Sequence, residues 1–280
     1  MTILVTGATG FIGRHFVRHA LERGDTVVAV VRRPPPPEPA HERVRWLCRS
    51  FPEVRVGDIA GCDAMVHLAA HGVVDGMDDW ERCFQVNVME SLALWRQAVT
   101  AGMRRFVICG SCFEYGRSGE RYQQIPVDAP LEPTGAYHAS KAAATMAALA
   151  LAAEERLELS ILRPFHVFGE GEAASRLWPA LRAAALAGRD FPMTAGGQIR
   201  DFTPVDKVAA YFRHQAAQRV EPGQPKIENV GTGRPESVRE FVQQWWTHWG
   251  ARGRLQIGVL PYRQDEVMRY VPQVKQPLLG

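Results

Sequence analysis

The chain has 280 residues and a mass of 31.2 kDa, enough for one large α/β domain or a nucleotide domain with a small second lobe, and too little for two independent domains. Hydrophobic residues at 46% and charged residues at 22% exclude a disordered or fibrous chain. A net charge of +3 with scattered basic residues argues against nucleic acid as the main partner.

In chain order, short β-branched runs alternate with helical patterns: Ile3-Val5, Phe11-Arg23, Thr26-Val31, Val44-Leu47, Ala64-Leu68, Trp80-Ala101 and Arg105-Cys109. This rhythm predicts βαβ units and a parallel sheet with helices on both faces. Pro34-Pro37 reads as a stiff connector after the second strand. A helix over Ala136-Arg156, a strand at Leu159-Leu162 and an apolar run at Lys226-Val230 continue the sheet. The looser pieces Phe165-Gly171, the Ala-rich helix Ala173-Gly188, the Trp-containing helix Ser237-Gly250 and Arg254-Val259 are assigned to a smaller lobe. The expectation is a Rossmann-type doubly wound sheet over residues 1–165, with 189–231 partly returning to it. Residues 166–188 and 232–280 form a C-terminal substrate-binding lobe. Five cysteines, an odd number, predict neither a disulfide framework nor a metal site. With no apolar stretch long enough to span a bilayer, the chain reads as cytoplasmic, with no membrane partner.

The strand Ile3-Val5 runs into Thr6-Gly7-Ala8-Thr9-Gly10-Phe11-Ile12-Gly13 and then a helix, the context in which glycines bind a dinucleotide. Gly7 permits the turn, Gly10 lets backbone N–H groups approach a pyrophosphate, and Gly13 lets helix and strand pack closely. Tyr137 and Lys141 open a helix one turn apart, so phenol and ammonium share a face. Such a pair suits carbonyl reduction, where an acid protonates the developing alkoxide and a cation beside the phenol lowers its pKa.

These motifs resemble the extended short-chain dehydrogenase/reductase family, the NAD-dependent epimerase/dehydratases, and most narrowly the 4-keto-6-deoxyhexose nucleotide reductases of the CDP-abequose synthase group. The resemblance implies a catalytic trio of Ser111, Tyr137 and Lys141, with Ser111 donating to the reacting oxygen. It places Gly7, Thr9, Gly10, Phe11, Ile12, Gly13, Leu68, Ala69, Ala70, Asn87, Tyr137, Lys141, Pro164 and Phe165 around the cofactor, Asn87 chiefly as structural support. Val30-Val31-Arg32-Arg33 ends the second strand without an acid, so Arg32 and Arg33 are expected to clamp a 2′-phosphate. NADP(H) is therefore preferred and NAD(H) possible. Ser50 and Asp58 leave the adenine contact open.

At the substrate end, the resemblance implies contacts from Ser111, Cys112, Phe113, His166, Arg200 and Arg263, the two arginines meeting a diphosphate. Cys112-Phe113 stand where 4,6-dehydratases of the family carry an Asp-Glu pair, which disfavours elimination of water. The expected activity is NADPH-dependent reduction of a nucleotide-linked 4-keto-6-deoxy sugar. A 4-epimerase with tightly bound NAD, a ketoreductase of a non-nucleotide product and an NADP-sensing binding protein are the alternatives. A homodimer through Trp80-Ala101 and Ala136-Arg156 is also implied.

Overall fold

The computed structural model describes residues 1–33, 41–73, 79–264 and 266–278. The Pro34-Pro37 connector lies outside them. The chain forms β1 (Thr2–Thr6), α1 (Phe11–Glu22), β2 (Thr26–Val31), β3 (Val44–Cys48), a short α2 (Val56–Ile59) and β4 (Ala64–His67). Next come α3 (Trp80–Phe84), α4 (Ser91–Thr100), β5 (Arg105–Cys109), α5 (Ala136–Glu155), β6 (Glu158–Pro164) and β7 (Val167–Phe168). The remainder is α6 (Leu177–Leu186), β8 (Phe191–Met193), β9 (Ile199–Arg200), β10 (Thr203–Pro204), α7 (Val205–Ala217) and β11 (Lys226–Val230). It ends with β12 (Glu236–Ser237), α8 (Val238–His248), β13 (Leu255–Ile257) and β14 (Arg269–Tyr270).

Seven strands make one sheet in the order β11-β6-β5-β4-β1-β2-β3, and each pairing in it is parallel. The order reverses between β1 and β4, so the carboxyl ends of these two strands splay apart and leave the crevice in which doubly wound sheets bind ligands. Both faces of the sheet are covered. Leu4, Met65, Phe106 and Ile161 point to one core with Leu94, Trp95 and Ala148. Ile3, Val5, Val66 and Val107 point to the other with Phe16, Val208 and Phe212. Burial on both sides explains why these strands are continuous apolar runs rather than alternating ones.

A smaller lobe carries its own core of Leu181, Met193, Val242 and Trp246, with β8 pairing β13 beside α6 and α8. A separate three-stranded sheet, β12-β9-β14, has one antiparallel pairing (β12 with β9) and one parallel pairing (β14 with β9).

Two elements differ from their sequence expectations. Trp80-Ala101 is not one regular α-helix, because Gln85–Glu90 is a π-helical turn between α3 and α4. The Ala-rich helix starts at Leu177, not Ala173. Pro179 is then in the first turn, where its missing N–H costs no helical hydrogen bond, whereas a helix from Ala173 would bury the proline inside.

Candidate functional site

The glycine turn is shaped by close backbone approach. Gly7 has φ +70°, and a Cβ there would lie 2.7 Å from the Ala69 nitrogen. A Cβ on Gly13 would lie 1.9 Å from the Gly7 carbonyl oxygen, so only glycine lets α1 start this close to the β1 turn. Among the described residues no side chain caps the start of α1. Its first-turn N–H groups lack helical partners and point at the crevice end, as pyrophosphate binding requires. The Thr6 hydroxyl, fully buried, accepts the Ala69 N–H at 3.3 Å and holds Leu68, Ala69 and Ala70 beside Gly7. A cradle that a methyl group would fill, edged by free N–H groups, fits a dinucleotide.

Asn87 lies in the π-helical turn and is buried. Its Oδ1 accepts the His71 N–H at 2.7 Å, while Nδ2 donates to the His71 carbonyl at 3.0 Å and to Ser140 Oγ at 2.9 Å. One amide thus pins the loop after β4 to α5. His67 in β4 is a core residue: Thr6 Oγ1 and Ser91 Oγ lie 3.0 and 3.1 Å from its two ring nitrogens, and burial depresses its pKa to about 3.

Ser111 ends the β5 turn, buried at 5% exposure, and its Oγ accepts the Phe113 N–H at 3.2 Å. The Tyr137 hydroxyl is hydrogen-bonded to the Ser111 side chain. The structure therefore brings the Ser111 and Tyr137 oxygens together across two elements. Burial pushes the Tyr137 phenol above its ordinary pKa. Lys141 is buried, and its Nζ donates to the Cys109 carbonyl at 2.6 Å, which satisfies an ammonium with little access to water. The lowering of the phenol pKa expected from this lysine is not found: burial of the hydroxyl first, and then the neighbouring Cys109, raise it.

Cys109 and Cys112 stand in C-x-x-C spacing around Ser111, a point the sequence reading overlooks. Both thiols are free, and burial raises them, Cys109 to about 11, so neither is a reactive thiolate. Phe113 stacks on His138 with centroids 4.7 Å apart and meets His166 edge-on at 6.2 Å. Phe165 has its ring in a buried cluster with Tyr115 and Tyr270, centroids 6.4 and 5.8 Å away. His166 also faces Phe202 and Tyr270 edge-on. Its Nδ1 is buried without a hydrogen-bond partner among the described residues, and burial, with Arg200 and Arg176 nearby, lowers its pKa to about 3.

Arg200 is buried, its Nη2 donating to Glu266 Oε1 at 3.2 Å and to the Val267 carbonyl at 2.5 Å. Arg263 is exposed on the same segment, its carbonyl accepting the Glu266 N–H at 3.1 Å. The adjacent Asp201, fully buried, accepts the backbone N–H groups of Thr232 and Gly233 at 3.0 and 2.6 Å and so is an anchor for the loop after β11. Arg32 and Arg33 are exposed at the end of β2.

The sequence reading gave no role to Arg163, Thr145 or Glu172. Arg163 and Glu114 form a buried ion pair at 2.9 Å. The one signal for it is a pair of opposite charges inside otherwise apolar runs. Glu172 has a buried, unpartnered Oε2 among the described residues, and burial raises its carboxyl to about 7. Arg176 ties its segment to the loop after β4 by donating to the Val73 carbonyl at 2.7 Å.

The chain is similar to proteins of known activity or structure. A dTDP-glucose 4,6-dehydratase of Streptomyces griseus is 30% identical over 86% of this chain and 76% of its own length. A dTDP-6-deoxy-L-talose 4-dehydrogenase (NAD(P)(+)) of Kitasatospora kifunensis is 30% identical over 86% of this chain and 77% of its own. The solved structure of MoeE5 in complex with UDP-glucuronic acid and NAD superposes with a TM-score of 0.85 and 30% identity, covering 98% of this chain and 90% of that one. Residues 3–231 match the NAD dependent epimerase/dehydratase family, and with the glycine turn and the Ser111-Tyr137 pair in place the chain belongs to that family of short-chain dehydrogenase/reductase-type enzymes.

Proposed function

We propose that the protein is an NADPH-dependent reductase of a nucleotide-linked 4-keto-6-deoxy sugar. The observation that carries this reading is the Tyr137 hydroxyl held against Ser111 in a buried setting, where the phenol carries its proton when a C4 oxygen arrives. When bound, the nicotinamide supplies the hydride that C4 receives. Gly7, Thr9, Gly10, Phe11, Ile12 and Gly13 hold the pyrophosphate, and Leu68, Ala69 and Ala70 flank it. Arg32 and Arg33, exposed and without an acid at the strand end, take the 2′-phosphate. Ser111 orients the C4 oxygen and Tyr137 gives it a proton. The Lys141 ammonium, one helical turn from Tyr137, stabilises the phenolate left after donation until a proton from solvent replaces the one given. Pro164 and Phe165 close the nicotinamide end through their main chain.

Phe113 and Cys112 offer an apolar wall to the sugar where an elimination would need acid and base, which supports a 6-deoxy substrate. His166 donates or accepts one hydrogen bond at its free Nδ1, and Arg200 and Arg263 meet the diphosphate, Arg200 by exchanging Glu266 for phosphate oxygens. The named activity of the Kitasatospora relative, a 6-deoxy sugar nucleotide 4-dehydrogenase using either cofactor, supports the same chemistry. The unpaired cysteines suit the cytoplasm.

Incubation with NADPH and a panel of 4-keto-6-deoxy nucleotide sugars tests the proposal. Loss of NADPH absorbance with at least one of them is expected. Protein that purifies with stoichiometric NAD and interconverts 4-epimers without net cofactor turnover would instead be a 4-epimerase.

A further inference from the structure

The turn that carries Ser111 supplies one half of a charge pair, with β6 supplying the other, that the proton transfer itself does not use. Glu114 is 0% exposed and Arg163 is 2% exposed, and Arg163 Nε donates to Glu114 Oε2 at 2.9 Å. Glu114 Oε1 accepts the Ser111 backbone N–H at 2.7 Å, and Oε2 also accepts the Thr145 hydroxyl at 2.9 Å. Arg163 Nη1 donates to the Tyr115 hydroxyl at 2.9 Å and the Val127 carbonyl at 3.1 Å. Its guanidinium lies 4.7 Å from the centre of the Tyr115 ring.

A single carboxylate therefore joins three segments. One is the turn holding Ser111. The second is α5, where Thr145 lies one turn beyond Lys141 and two beyond Tyr137 on the same face. The third is β6, which delivers Pro164, Phe165 and His166. Gly110 shows how closely the backbone is fitted to the carboxylate: a Cβ there would lie 2.7 Å from Glu114 Oε1 and 3.0 Å from Arg163 Cγ. A buried ion pair gains little stability over well-packed apolar residues of the same volume, so stability alone does not account for it.

We propose that Glu114 and Arg163 are positioning residues that fix the Ser111 oxygen relative to the Tyr137 hydroxyl. This rests on the reading of that hydroxyl pair as the proton-handling centre. Neither residue touches substrate. Both act by setting the Ser111 backbone, and a misplacement of about 1 Å at a reacting centre lowers turnover about 100-fold.

The test compares wild type with Glu114→Gln/Arg163→Met, which removes both charges, and with Arg163→Lys, which keeps the ion pair but gives up the bonds to Tyr115 and Val127. Tm, NADPH Kd, kcat and KM are measured, together with the NMR signal of Tyr137 in protein carrying 13Cζ-tyrosine, assigned through Tyr137→Phe. The double variant is expected to melt close to wild type and bind NADPH within about threefold, yet to lose about 10- to 100-fold in kcat with KM little changed and a displaced Tyr137 signal. Arg163→Lys is expected to show a smaller loss in the same direction, and it decides the matter should the double variant not fold. A folded variant with wild-type kcat or an unmoved Tyr137 signal overturns the proposal. If wild type reduces no nucleotide sugar, the substrate reading fails separately, and the Tyr137 signal still tests the positioning.

Discussion

Proton chemistry at Tyr137 has to work against burial. A buried phenol resists ionisation, so Tyr137 carries its proton at neutral pH but gives it up only where a nearby cation stabilises the phenolate left behind. Tyr137→Phe removes the donor without changing the fold and is expected to lower kcat by about 10²- to 10⁴-fold while NADPH binding persists, as read by fluorescence titration. At the far end of the cofactor, Arg32→Ala/Arg33→Ala should weaken NADPH binding at least tenfold, by order of magnitude, and leave NADH binding unchanged. Equal effects on both cofactors would remove the argument for a 2′-phosphate clamp. Away from the chemistry, His67 gives a stability signature. Its folded pKa, about 3, lies below the ordinary histidine value of 6.5. The unfolded chain therefore binds a proton that the folded chain refuses, so the contribution is present above 6.5 and lost as pH falls from 6.5 towards 3. Between pH 7.5 and 5.5, wild type should lose about 1.4 kcal/mol more than His67→Gln in urea unfolding.

Elements set where those residues stand. The π-helical turn Gln85–Glu90 adds one residue to a helical turn and so aims Asn87 at the loop after β4. Asn87→Ala leaves the His71 N–H and carbonyl without their partner, at an expected cost of about 2 to 4 kcal/mol by urea unfolding, together with weaker cofactor binding. The strands and the glycine turn are legible in the sequence because burial on both faces enforces apolar runs and because Gly7 and Gly13 have no sterically allowed substitute. The π-helical turn is not legible, since one extra residue leaves the apolar pattern of Trp80-Ala101 nearly undisturbed. Nor is the Glu114-Arg163 pair, which joins residues 49 apart in the chain. Arg200 and Arg263 are recognisable as residues, yet that Glu266 occupies the Arg200 guanidinium depends on how the late segment folds back over β9.

On the scale of the molecule, the sheet supplies the crevice, and α3, the π-helical turn Gln85–Glu90, α4 and α5 pack together. Trp80, Met89 and Met146 are exposed there, at 60%, 61% and 59%. Large apolar side chains left open on adjacent helices are a natural seam for a second copy, and a homodimer is expected in sedimentation analysis, with Met89→Glu/Met146→Glu shifting it to monomer. The central claim, hydride delivery to C4 with Tyr137 as proton donor, is tested most directly with NADPH deuterated at the transferring position. The account expects deuterium at C4 of the product sugar and loss of that transfer in Tyr137→Phe. Product that forms without deuterium at C4, or a Tyr137→Phe variant that transfers it at the wild-type rate, would contradict it.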